Sequence, residues 1–241
     1  MNDLDNQWKT IYTIGAITTI IVLCGIVLDM VVGAITGADI TALPQTAIDR
    51  FHQMNDNPWL GLYNLDLLNM VTQIIFIPSM FALYGAHRKV LQPSAMLAFV
   101  LFLFATTLFV AGNTALTMLD LSQRYFVAPT DDQKMLIAAA GEAMLARGAH
   151  GSRGVFPGFA LIPVANALMS VVMLRAKVFS RTTSWFGIIG NSLMVVYVVL
   201  VTFVPGVETM AMAFAMPAGL LVMGWMGMFT VRLWRMGTTA L

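Results

Sequence analysis

Charge is scarce in this sequence: only 10% of its 241 residues are Asp, Glu, Lys or Arg, against about a quarter in an ordinary soluble domain. That shortage, with 59% hydrophobic residues and a mean hydropathy of +0.80, excludes a water-soluble enzyme of this length and excludes disorder. Cysteine is nearly absent. The single Cys24 cannot form an internal disulfide, so a disulfide-stapled scaffold is excluded as well. Neither sign of charge is in excess: 13 Lys and Arg against 12 Asp and Glu leave a net charge of +1, with nothing to draw nucleic acid. Histidine is rare, and His52, His87 and His150 all fall in links between apolar runs. This argues against bis-histidine haem in a membrane core and against an intramembrane Ser–His dyad. No lysine sits in the middle of an apolar run, and HExxH, paired CxxC and phosphate-cradling glycine loops are missing.

What the chain has is long apolar runs. A helix needs about 20 mostly apolar residues to cross a bilayer. Six stretches qualify, at 12–35, 60–84, 94–119, 155–174, 185–204 and 210–234. The first begins acidic and is too long for a cleavable signal, so it reads as a retained span. The fold class is therefore all-α: a polytopic transmembrane bundle of six spans, with residues 1–241 as a single domain in a lipid bilayer.

The few charges set the orientation. Arg88 and Lys89 lie between spans two and three, Arg175, Lys177 and Arg181 between four and five, and Arg232 and Arg235 near the end. These segments hold no acid, so the positive-inside rule predicts cytoplasmic termini in a multi-pass plasma-membrane protein. The opposite links are longer. A helix is expected from Pro44 to about Asn55, and another from the N-cap Thr130 to about Arg147, ending at Gly148, Gly151 and Gly154. Both outer amphipathic helices are expected to lie on the membrane or cap the bundle.

Polar residues inside apolar runs share helix faces. Asp66, Asn69 and Gln73 descend span two above Pro78; Thr106, Asn113, Thr117 and Asp120 share a face in span three. Thr18, Gly25 and Asp29 do so in span one, Asn166 and Ser170 in span four, and Ser184, Gly187, Asn191 and Thr202 in span five. Lipid cannot satisfy their hydrogen bonds, so the stripes should face inward. With Asp29, Asp66 and Asp120 all in the outer third, the pattern predicts an outward-facing polar pocket. The methionine face of span six (Met212, Met216, Met223, Met226) reads as packing, and the Gly33-x3-Gly37 and Ala211-x3-Ala215 faces as close helix contacts, within the chain or in a homo-oligomer.

Three functions fit. The first is binding or transport of a small polar or cationic solute, with Asp66 as main contact and Asn69, Gln73, Asn113, Asp120 and Asp29 around it. The second is a structural or regulatory subunit that docks a membrane partner. The third is a metal-dependent enzyme at the outer mouth, built from His52, His150, Glu142 and the outer aspartates. Their spacing matches no standard ligand motif, so no metal, catalytic residue or cofactor is assigned.

Several short stretches carry a resemblance. They are Asn64-Leu65-Asp66-Leu67-Leu68, Ile75-Phe76-Ile77-Pro78 leading to Ala82-Leu83-Tyr84, Ser180-Arg181 leading to Trp185-Phe186-Gly187, and Leu233-Trp234-Arg235-Met236-Gly237. In these the chain resembles an uncharacterised bacterial six-span membrane family, a domain of unknown function numbered 4386. The resemblance implies the six-span architecture and transfers no substrate or active residue. The long link 121–153 departs from the family's pattern.

Overall fold

The computed structural model describes residues 3–36 and 44–238, and every regular element among them is an α-helix. There are ten: α1 (Asp3–Thr36), α2 (Ala47–Asp56), α3 (Pro58–Tyr63), α4 (Leu67–His87), α5 (Gln92–Gly112), α6 (Ala115–Val127), α7 (Asp131–Gly148), α8 (Phe156–Ala176), α9 (Arg181–Phe203) and α10 (Glu208–Thr238). Among the described residues six stretches are long and apolar enough to cross a membrane: Asn6–Gly33, Leu67–His87, Gln92–Val127, Phe156–Ala176, Arg181–Phe203 and Met210–Thr238.

These six form a ring. α1 packs on α4, α4 on α5, α5 on α8, α8 on α9, α9 on α10, and α10 returns to α1. Large apolar side chains such as Ile17, Ile21, Leu97, Phe104, Val196 and Leu220 stay exposed on the outside, the surface that a bilayer covers. Inside, Phe76, Phe102, Met169, Trp225 and Phe229 make the core. Small residues and hydroxyls bring the backbones together. Gly15 faces Ala82, and the hydroxyls of Thr18 and Thr19 lie 2.7 and 2.9 Å from that of Ser79, which donates to the Gly15 carbonyl at 3.0 Å. In a lipid environment such bonds must be found within the protein.

At one end α2, α3, α6 and α7 pack around Phe51, Met54, Leu65, Met118 and Leu145, forming a helical cap. Glu142 of α7 accepts the backbone N–H of Ala47 at 2.7 Å, and Ser122 of α6 donates to the Phe51 carbonyl at 3.0 Å. These four helices therefore cap one end of the bundle. At the other end Gly237 of α10 lies against Thr13 and Lys9 of α1, so the two terminal helices finish side by side.

Several expected boundaries shift. The second span does not start at Leu60. Asn57 caps a separate helix at Pro58, the chain turns at Asn64–Asp66, and α4 begins at Leu67. It then runs on to His87, which is buried in its last turn rather than placed in a link. α2 starts at Ala47, not Pro44, because the Thr46 hydroxyl accepts the N–H of Asp49 at 3.2 Å. Thr130 caps α7 as expected, accepting the N–H of Gln133 at 3.3 Å. Met212 and Met216 are exposed while Met226 is buried, so the methionine stripe is split between the outer surface and the core. Gly37 lies outside the described residues.

Candidate functional site

The centre of the ring holds a cavity of about 310 Å³, to which all six spanning helices contribute. Its polar lining comes from Asn69, Thr72 and Gln73 of α4, Asn166 of α8, Asn191 and Tyr197 of α9, and His150 from the α7–α8 link. Phe76, Phe109 and Trp225 supply apolar walls. The Asn166 side-chain oxygen is buried and has no partner among the described residues. Such an acceptor carries the cost of an unmade hydrogen bond until something donates to it.

The cap end of this cavity is closed by a charged chain of contacts. Asp66 precedes α4 in the left-handed region, with φ 60°. Its side chain makes no cap bond to the α4 backbone, which leaves its carboxylate to other side chains. Asn69 donates to one oxygen at 2.9 Å, and His150 Nδ1 lies 3.2 Å from the other. The second ring nitrogen of His150 lies 3.0 Å from the Tyr197 hydroxyl. Burial alone would raise the Asp66 pKa. The positive charge and hydrogen bond of His150, the bond from Asn69 and the charge of Arg50 outweigh it, so the carboxyl is held below its ordinary range. Burial likewise pushes His150 down, but the Asp66 charge and hydrogen bond carry it up to about 10. The two groups are thus an ion pair at neutral pH, with Asp66 ionised and the imidazolium donating from both nitrogens.

Two further groups sit at this mouth. Tyr63 of α3 donates to the Asp29 carbonyl at 3.0 Å. Its hydroxyl is pushed up to about 12, by burial first and then by the carboxylates of Asp29 and Asp66. Arg50 of α2 is buried, and burial lowers its pKa against the opposing pull of Asp66.

Of the residues expected at the site, Asn69 and Gln73 line the cavity, and Asp66 sits at its rim through His150. Asp29 joins the same mouth through Tyr63. Asn113 has a different job. It donates to the Leu65 carbonyl at 2.9 Å and accepts the Ala115 N–H at 3.1 Å, pinning the break between α5 and α6. That break, extended at Asn113 with ψ 132°, ends the helical register on which the shared face of span three was counted. Thr117 and Asp120 consequently turn outward, and Asp120 forms an exposed ion pair with Arg124 at 2.9 Å. The proposed metal ligands are also dispersed: His52 packs on Phe126 and Glu142 caps α2, while His150 holds Asp66. No group of three or more His, Cys, Asp or Glu that could hold a metal occurs among the described residues.

Sequence reasoning left out His150 and Tyr197 as residues of the cavity wall. His150 sits in a glycine-rich link with no periodicity, and Tyr197 is one aromatic in an apolar run. Asn166 and Asn191 were legible as polar stripes, but no spacing within one helix says that two stripes converge.

The sequence model described as Domain of unknown function (DUF4386) matches residues 13–232. No curated protein and no solved structure matches the chain. A match across nearly the whole six-helix ring makes the assignment plain: this integral membrane protein belongs to the DUF4386 family.

Proposed function

We propose that the chain binds, and carries through the membrane, a small uncharged polar solute held in the cavity at the centre of the helix ring. The observation that carries this reading is the convergence of amide side chains, Asn69, Gln73, Asn166 and Asn191, on a space of about 310 Å³ with aromatic walls. Ligand sites are commonly of this kind, largely apolar with a few placed polar groups. The unpartnered Asn166 oxygen supports a solute that donates hydrogen bonds. The Asp66–His150 pair favours a neutral solute over a cation, since the carboxylate already has its counter-charge. On this reading the cap end is the outer mouth. The terminal end, with Arg88, Lys89, Arg232 and Arg235, faces the cytoplasm of a plasma membrane.

The test is a melting series on detergent-purified protein against small uncharged polyols, amides and alcohols. At least one compound should raise Tm, and Gln73→Leu and Asn191→Leu should each remove that rise. A series in which no compound shifts Tm, or in which both variants respond as the parent does, overturns the reading.

A further inference from the structure

The hydrogen-bonding capacity left over in the central cavity narrows the class of solute, on the reading above that the cavity holds one. Four side-chain amides line it, and the protein itself takes an N–H from two of them. Asn69 donates to Asp66 at 2.9 Å, and Asn191 donates to the Gly187 carbonyl one turn back at 2.7 Å. Their oxygens remain. Gln73 of α4 and Asn166 of α8 keep whole carboxamides, which bond to no described residue, although Asn166 is only 6% exposed. Tyr197 accepts from His150 at 3.0 Å, so its own hydroxyl proton is left to donate. His150 is the one charged group among the described lining residues, and both of its ring nitrogens are engaged.

Rings make much of the remaining wall. Phe109 and Phe159 meet edge to face with centroids 4.8 Å apart, and Phe76 and Trp225 do so at 6.5 Å. α4 also touches α8 directly, so the helices that carry the two whole carboxamides lie against each other. A carboxamide grips a flat edge that carries a donor beside an acceptor through two hydrogen bonds at once, as Asn and Gln do on a base edge. Aromatic walls take flat rings stacked or edge-on. An aliphatic polyol has neither the rigid paired edge nor the ring. We propose that the solute is a neutral, flat nitrogen heterocycle of the nucleobase class, with a ring or amino N–H beside a carbonyl or a ring nitrogen. Gln73 and Asn166 read that edge, and the aromatic wall holds the ring. A space of about 310 Å³ is at the small end for ligand sites, which suits one or two rings without a sugar. Among the described lining residues no uncommitted cation stands ready for a phosphate.

The test uses the full chain in a neutral detergent, with thermal melting and calorimetric titration of uracil, adenine, dihydrouracil, uracil methylated on both ring nitrogens, acetamide and glycerol. Dihydrouracil keeps the paired edge and loses the flat ring; the methylated uracil keeps the ring and loses every N–H. Uracil or adenine should raise Tm and bind at least about tenfold tighter than either altered uracil, the worth of one paired edge. Gln73→Leu and Asn166→Leu should each weaken that binding about tenfold or more. The comparison of probes on the parent protein decides the proposal if a variant fails to fold. Acetamide, glycerol or either altered uracil binding as tightly as the favoured base overturns the proposal and leaves the solute reading in place. Unaltered binding of the favoured base by both variants also overturns it. No response to uracil or adenine overturns it too, and overturns the solute reading only when the polyol, amide and alcohol series is also without response.

Discussion

His150 Nδ1 and Asp66 Oδ2 lie 3.2 Å apart although 84 positions separate them in the chain. The bond ties the α7–α8 link to the start of α4 and so fixes the cap over the ring. Its two side chains are 27% and 12% exposed, which makes it a largely buried pair. Removing one partner of such a pair strands the other charge, at a cost of about 3 kcal/mol. His150→Gln should therefore lower stability by about that amount. The double variant with Asp66→Asn should recover much of it, because no charge is then stranded. Chemical or thermal unfolding of the parent, both single variants and the double variant measures the coupling. Additive single effects would show that the pair does not hold the cap.

The same pair sets a pH window. His150 is raised from an ordinary 6.5 to about 10, so its contribution is complete below 6.5 and is lost as pH climbs through 10. Asp66 is held below its ordinary 3.8, so its contribution is complete above that value and fades as pH falls through the lower folded one. Stability should stand on a plateau between about pH 4 and 6.5 and decline on the alkaline side. In melting curves across pH, His150→Gln should flatten the alkaline decline. An unchanged decline in that variant would assign it to other groups.

Asn166→Leu should separate stability from binding. The substitution removes a buried acceptor that no described residue satisfies, which should stabilise the protein by about 1 kcal/mol. It should also abolish the Tm rise that a bound solute gives. A variant that is more stable and still responds to solute would remove Asn166 from the site.

Lys177 ends α8 with φ 57°, a region that costs a side-chain-bearing residue about 1 kcal/mol and costs glycine almost nothing. Because its side chain is exposed, Lys177→Gly should raise stability by about 1 kcal/mol in thermal unfolding. Asp66→Gly relieves the same backbone strain but deletes the ion pair, so it should destabilise. The two left-handed positions thus predict opposite signs.

The six spans were legible because membrane helices declare themselves by length and hydropathy alone. Thr130 was legible for a similar reason: an N-cap and its helix are neighbours in sequence. Asp66 was singled out for its place in a polar stripe, yet its partners come from two other parts of the chain. Counting 100° per residue works along an unbroken helix, as it does for Asn69 and Gln73. It fails across Asn113, where one extended residue turns Asp120 out of register. No helical period registers a break of that kind, and none describes the convergence of Asn166 with Asn191.

The closure of the ring by α10 on α1 has a consequence for biogenesis. The cavity takes Val22 and Ile26 from the first helix and Val222, Trp225 and Met226 from the last. The chain is made from its N-terminus, so α1 can meet α4 early, while the side of α1 that α10 covers gains its partner last. The wall of the cavity is complete only once the last helix lies against both α9 and α1.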